Sequence, residues 1–277
     1  MKSSPKSKSE KYSSAAAEKF WSERVQSTDD LAAVLTYDAR PEINQAYDTW
    51  EKGALSAFLK QRKNITRALD IGAGVGRISL LLASKGIEVV ALDNSSVMLD
   101  RITRSAAKAK LTKRITTVHS QSSVIPLPDR SCDLVVCFGL LEHLPETERK
   151  ATLAEAARVV GRTGRLVLVV NNHDNPLLKR NYSQVSQRPD GYFVTLVGLP
   201  WLEKEGTKLG LRTTLLGANP AYAHVHYLLE PSFKPPISKS DLNGVCHAAL
   251  TSDLGQKGFS PLSRRFASHF MIEMRRA

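Results

Sequence analysis

The stretch LDIGAGVG at residues 69–76 combines an apolar run with a loop that holds three glycines. Seventeen residues after Gly76, the apolar run VVAL ends in Asp93. A strand, a glycine loop, a helix and a second strand that closes on a carboxylate form half of a nucleotide-binding α/β domain. The sequence therefore predicts a βαβ unit of this kind up to Asp93.

The spacing of the glycines indicates the kind of ligand. A dinucleotide fingerprint reads G-x-G-x-x-G, whereas here the glycines stand at 72, 74 and 76 and are followed by Arg77. Asp70 would also place negative charge near a pyrophosphate, which helix-end amides alone bind better. The loop therefore favours a ligand with positive charge. The alternative is that the glycines only make a tight turn between a strand and a helix.

The loop resembles the D-x-G-x-G-x-G motif of the class I S-adenosylmethionine-dependent methyltransferases, in the small-molecule branch that includes the type 11 and type 25 domains. The resemblance implies S-adenosylmethionine as the cofactor, since this ligand carries a sulfonium and an α-amino group. It also implies a Rossmann-like α/β fold with strand order 3-2-1-4-5-7-6 and an antiparallel last strand. We expect the chain to be an enzyme that methylates a small-molecule metabolite on oxygen or nitrogen.

The resemblance assigns roles in cofactor binding. The backbone from Gly72 to Gly74 would approach the methionine part, Asp70 would support the loop and the amino group, and Asp93 would take the ribose hydroxyls. Relatives often carry an acid for the adenine amino group where this chain has Gln121, whose amide oxygen can still accept a hydrogen bond. The full set of implied cofactor contacts is Asp70, Gly72, Ala73, Gly74, Gly76, Asp93, Asn94, Met98, Gln121, Ser122 and Phe138.

Methyl transfer from a sulfonium is an in-line displacement, which requires alignment and exclusion of water but no metal. His143, in the Glu142-His143-Leu144 run after the fourth strand, is the first catalytic candidate. It is either a general base or a structural residue that bonds the loop. His173 is the second candidate, because it follows the fifth strand. No metal site is predicted, since a turn before Pro176 explains the oxygen-rich run around His173.

The acceptor site must come from outside the βα core. We predict contacts from Tyr47 and Trp50 in the N-terminal helices, and from Tyr222 in a long connection at 217–267. A loop of that length in a compact domain is more often functional or disordered than idle. Its aromatic residues either cap a small acceptor or pack an accessory element.

The chain of 277 residues divides by composition into three parts. Residues 1–14 are predicted as a disordered tail, 15–62 as an N-terminal helical cap, and 63–277 as the methyltransferase domain with an insertion at 217–267. Strands are predicted at about 67–71, 88–92, 114–118, 132–138, 165–170, 211–216 and 268–274.

Composition limits the remaining classes of function. The absence of a secretory or membrane-spanning apolar run predicts a cytoplasmic protein without a membrane span. A net charge of +12 allows nucleic acid as a partner, but the basic clusters are not interleaved with aromatic residues that would stack bases. A small-molecule acceptor is therefore favoured. The alternatives are methylation of RNA or protein, a nicotinamide-dependent oxidoreductase, and a binder without turnover; the oligomeric state is not predicted.

Overall fold

A computed structural model of the chain describes residues 12–28, 30–35, 41–62, 64–176, 188–219 and 267–277. Tyr222 and most of the predicted 217–267 insertion lie outside the described residues, as does the predicted tail up to residue 11. The helices are α1 (Ser14–Ser27), α2 (Asp30–Val34), α3 (Pro41–Lys60), α4 (Arg77–Ser84), α5 (Ser96–Lys108), α6 (Glu146–Val159) and α7 (Leu199–Lys208), with a 3-10 turn at Leu141–His143. None of the described helices is long and apolar enough to cross a membrane.

A seven-stranded sheet forms the centre of the molecule. Its strands are β1 (Arg67–Ile71), β2 (Glu88–Asp93), β3 (Ile115–His119), β4 (Cys132–Phe138), β5 (Val160–Asn171), β6 (Leu211–Asn219) and β7 (His269–Arg276). They lie in the order β3-β2-β1-β4-β5-β7-β6, and β7 pairs antiparallel with both β5 and β6. The predicted strand order and the antiparallel last strand are therefore confirmed.

The fifth strand is longer than predicted. It begins at Val160, which pairs with Cys132 before a register shift at Leu134. Gly161 and Gly164 stand just before the predicted strand at 165–170, and glycine in a sequence is a common signal for the end of a helix or for a turn. In the sheet these glycines instead mark the irregular start of β5.

Alternate residues of the central strands face opposite sides of the sheet. On one side, Leu69, Val135 and Leu168 pack with residues of α6 and α7. On the other side, Ala68 and Leu134 pack with residues of α3 and α4. Both faces are covered, which explains why the parallel strands are continuously apolar in sequence.

The N-terminal helices are confirmed, and α3 belongs to the main core. Its buried residues Tyr47, Trp50, Leu55 and Phe58 share a hydrophobic cluster with the sheet. A smaller cluster joins α1 and α2 to the glycine loop and α5, through Val25, Ala33, Val75 and Met98.

Candidate functional site

The glycine loop connects the carboxyl end of β1 to α4. Gly72, Gly74 and Gly76 all have positive φ, at 69°, 53° and 84°. A Cβ on Gly72 would lie 3.0 Å from Leu140, and one on Gly76 would lie 2.9 Å from Ile102. Glycine is therefore needed here both for the backbone conformation and for close packing.

The amides of this loop are used inside the protein. The N–H groups of Gly72 and Ala73 both donate to the carbonyl of Leu92, at 2.8 and 3.0 Å. The N–H of Gly74 donates to the carboxylate of Asp93 at 2.8 Å, and that of Gly76 donates to Ala73 at 2.9 Å. A loop that binds a pyrophosphate directs such amides to the ligand. The geometry therefore disfavours the dinucleotide alternative.

Two buried carboxylates flank the loop. Asp70 accepts a hydrogen bond of 2.6 Å from the hydroxyl of Ser79, and burial raises its pKa to about 6. Asp93 accepts from the amides of Gly74 and Ser95, at 2.8 and 2.9 Å, and burial raises its pKa as well. Each oxygen of Asp93 keeps a further lone pair for a ligand hydroxyl. Both acids therefore give this end of the site a negative character that suits a cation.

Arg77, the first residue of α4, joins the loop to the N-terminal helices. Its guanidinium lies 2.7 Å from Asp48 and 2.8 Å from Glu51, both on α3. The sequence showed Arg77 only as a departure from the dinucleotide fingerprint. Nothing in its local pattern identifies acids so far back in the chain as its partners.

A cavity of about 1090 Å³, open to solvent, lies over the carboxyl ends of the strands. The predicted cofactor contacts that line it are Asp70, Gly72, Ala73, Gly74, Asp93, Asn94, Met98, Gln121, Ser122 and Phe138. His143 lines it too. Gly76 does not, since its space is filled by Ile102 of α5.

The other predicted site residues lie elsewhere. Tyr47 and Trp50, predicted as acceptor contacts, are buried in the core with their rings stacked 6.3 Å apart, and they do not line the cavity. They pack there because α3 lies on the sheet. His173 is half exposed, 3.1 Å from Asp174, and is also absent from the cavity wall. Tyr222 lies outside the described residues.

His143 sits in the 3-10 turn after β4. Its Nδ1 lies 2.8 Å from the carbonyl of Phe193, so Nδ1 carries the proton and Nε2 keeps a lone pair. Burial lowers its pKa to about 4. The imidazole is therefore neutral near pH 7, and its bond to Phe193 ties the turn to the segment at 188–197. The predicted catalytic role stays a prediction.

Aromatic side chains from outside the βα core form another part of the cavity wall. Trp21 of α1 contacts the His143 ring edge to face at 5.0 Å, and Tyr192 lies 5.5 Å from the same ring. Tyr12 packs on Phe193 at 5.7 Å. Of these, Tyr12 and Trp21 line the cavity. In the sequence, Trp21 belongs only to a helical pattern of apolar residues, and no motif connects α1 with the distant 188–197 segment.

The loop after β3 forms a third wall. The Ser120 amide donates to the backbone carbonyl of Asp93 at 3.1 Å, so this loop begins beside the second carboxylate. Ser122 then reaches α6, where its hydroxyl lies 2.7 Å from that of Thr152. A nucleoside whose ribose binds Asp93 would extend its base toward this loop.

Comparisons with known proteins agree with this geometry. Residues 68–164 match the family described as "Methyltransferase domain". The ubiquinone/menaquinone biosynthesis C-methyltransferase UbiE of Methylobacterium nodulans is 33% identical over 144 residues, which are 50% of this chain and 56% of that protein. The 27-O-demethylrifamycin SV methyltransferase of Amycolatopsis mediterranei is 32% identical over 103 residues, 37% of each protein. The chain thus spans about half or less of the length of these curated relatives.

A solved structure shows the same fold over most of the chain. The magnesium protoporphyrin IX methyltransferase from Synechocystis with bound S-adenosylhomocysteine superposes with a TM-score of 0.55. The match covers 85% of this chain and 86% of that one at 17% identity. At this identity the likeness concerns the fold alone.

Proposed function

We propose that this chain, whose residues 68–164 match the family described as "Methyltransferase domain", is a class I S-adenosylmethionine-dependent enzyme that transfers a methyl group to oxygen or nitrogen of a small-molecule metabolite. One observation supports this most strongly. All of the predicted cofactor contacts except Gly76 line one cavity together with Tyr12 and with Trp21 of α1, so donor and acceptor could meet there.

The residues present fit the cofactor. The amides of Gly72, Ala73, Gly74 and Gly76 are bonded within the protein, and both Gly72 and Gly74 line the cavity beside Asp70. This donor set suits a ligand with an ammonium and a sulfonium better than one with phosphates. Asp93 would hold the ribose hydroxyls. When bound, S-adenosylmethionine supplies an electrophilic methyl group.

The protein's own contribution is alignment and exclusion of water. Trp21 of α1 and Tyr12, which precedes that helix, line the cavity, and the hydroxyl of Ser22 lies 2.7 Å from that of Ser95 and joins α1 to the start of α5. Neutral His143 can accept a proton at Nε2 from an acceptor hydroxyl or ammonium. With a pKa of about 4 it is a weak base, so we assign most of the rate enhancement to positioning.

The atom that is methylated is part of the proposal. The names of the relatives include a C-methyltransferase and an O-methyltransferase, so similarity alone does not choose between the two. We favour oxygen or nitrogen because a lone pair on these atoms attacks the methyl directly. A carbon nucleophile must first be generated as an enolate or phenolate equivalent, which requires a stronger base than His143.

The test has a binding step and a turnover step. Calorimetry should show that S-adenosylhomocysteine binds while NAD and NADP do not; binding of the nicotinamides alone would contradict the proposal. A metabolite extract is then incubated with the protein and trideuteromethyl-labelled cofactor. Mass spectrometry should detect labelled small molecules that are missing with Asp93→Ala. Label found only in RNA or protein would favour the macromolecular alternative, and binding without any labelled product would favour a binder without turnover.

A further inference from the structure

The side chain of Gln121, in the loop after β3, does not by itself distinguish adenine from its deaminated form. Gln121 lines the cavity and its side chain is exposed. A carboxamide has both a donor and an acceptor end, and it can rotate to match either the amino group of adenine or the carbonyl of hypoxanthine. A group that only accepts hydrogen bonds, such as a carboxylate, favours the amino group of adenine over the carbonyl of hypoxanthine.

Three carboxylates line the cavity among the described residues: Asp70, Asp93 and Glu148. Asp70 is bonded to Ser79 and Asp93 to two backbone amides. Glu148 makes no hydrogen bond or ion pair with the part of the chain that the structure describes. It is half-buried, and its charge contributes, after burial, to a raised pKa of Tyr12, which also lines the cavity. Glu148 is thus the cavity carboxylate that is available to a ligand.

The position of Glu148 on α6 brings it to the base side of the cavity. Glu148 lies one turn before Thr152, and residues four apart share one face of a helix with their Cβ atoms about 6 Å apart. Thr152 bonds Ser122 at 2.7 Å, and Glu155 accepts from the amide of Ile125 at 2.8 Å. The loop after β3 therefore runs along this face of α6. Glu148 lies on the same face and lines the cavity.

We propose that Glu148 accepts a hydrogen bond from the exocyclic amino group of the cofactor's adenine and so selects adenine over hypoxanthine. The proposal rests on the proposed function, because it requires that S-adenosylmethionine binds in this cavity. Glu148 would provide from α6 the carboxylate that Gln121 does not provide after β3. It acts on recognition and takes no part in the methyl transfer.

A structural role for Glu148 is the competing explanation. It lies in the first turn of α6, where an acid stabilises the helix through the exposed amides and the helix dipole. Glu146 offers a matched control. It stands in the same turn, pairs with Lys150 at 2.6 Å, and does not line the cavity.

The experiment compares S-adenosylhomocysteine with S-inosylhomocysteine, which has a carbonyl in place of the amino group. Calorimetry on the full chain should show tighter binding of the adenine compound. Glu148→Gln should weaken that compound about tenfold and strengthen the inosine compound, because the amide can donate to its carbonyl. Glu146→Gln should leave both affinities unchanged.

The outcomes separate the two proposals. An unchanged ratio of the two affinities in Glu148→Gln would overturn the role of Glu148, and loss of selectivity in Gln121→Ala with Glu148 intact would assign it to the loop after β3. If the wild-type chain binds neither compound, the proposed function itself fails. Thermal unfolding of each variant verifies that the fold is retained.

Discussion

The two sides of the cavity are built in different ways. The glycine-loop side consists of backbone and short side chains from β1, β2 and the start of α4, all within about one βαβ unit. The aromatic side consists of large side chains from α1 and the 188–197 segment, which meet at His143. The glycine-loop side restricts which cofactor can bind, because its backbone conformation tolerates little change. The second side is free to vary in shape, which suits the task of choosing an acceptor.

The largest expected effect is on the glycine-loop side. Gly74→Val should reduce the affinity for S-adenosylhomocysteine at least a hundredfold in calorimetry. Valine disfavours the positive φ of 53°, and its Cβ would lie 3.1 Å from Val34. Gly86→Ala is the control, since Gly86 also has positive φ but has no atom within 4 Å of the added Cβ. Gly86→Ala should lose stability and keep its affinity for S-adenosylhomocysteine. An equal loss of affinity in the two variants would contradict a special role of the glycine loop.

Asp93→Ala should weaken the same ligand about thirtyfold, because one or two charge-assisted hydrogen bonds to ribose are lost. Asp93→Asn keeps one acceptor oxygen and should lose less. The comparison is made by calorimetry, with circular dichroism to verify the fold, because Asp93 also holds the amides of Gly74 and Ser95. Wild-type affinity in the alanine variant would refute the assignment.

On the aromatic side, Trp21→Ala should lower kcat/KM about tenfold for an acceptor found by the labelling screen, because it removes a large part of the cavity wall. The affinity for S-adenosylhomocysteine should change less than about threefold, since the glycine loop is untouched. Phe20→Ala, which removes a ring of the same cluster that does not line the cavity, is the control. If Trp21→Ala affects only cofactor affinity, the two sides do not divide the work as described.

The smallest effect concerns His143 and pH. Its pKa of about 4 in the folded chain lies below the ordinary value of 6.5. The unfolded chain therefore binds more protons between these values, and His143 costs stability as the pH falls from 6.5 toward 4. His143→Gln should reduce this acid-induced loss of unfolding free energy by about 2 kcal/mol, measured by urea unfolding at several pH values. A profile in His143→Gln identical to that of the wild-type chain would contradict burial of His143.

Sequence patterns predicted the glycine-loop side of the cavity much more completely than the aromatic side. The β1 loop, Asp93 and the strand order follow from short-range spacing and from a known strand topology, and the structure has them at the predicted positions. Trp21 is different, since a helical pattern reveals that one face is buried without revealing what it faces. Tyr47 and Trp50 present the reverse case, and their role in acceptor binding stays a prediction. Their aromatic character suggested an acceptor site, but α3 buries both against the sheet.

The ion pairs of Arg77 bear on how the chain can be divided. A fragment that begins at residue 63, the predicted start of the methyltransferase domain, would lack Asp48 and Glu51 and leave a cation at the cavity without its partners. Loss of one side of a buried ion pair costs about 3 to 5 kcal/mol, and the fragment would also expose the sheet face that Leu55 and Phe58 cover. We therefore expect the two parts on either side of this boundary to fold together rather than independently. Fragments made for expression or domain exchange should retain α3 together with the sheet.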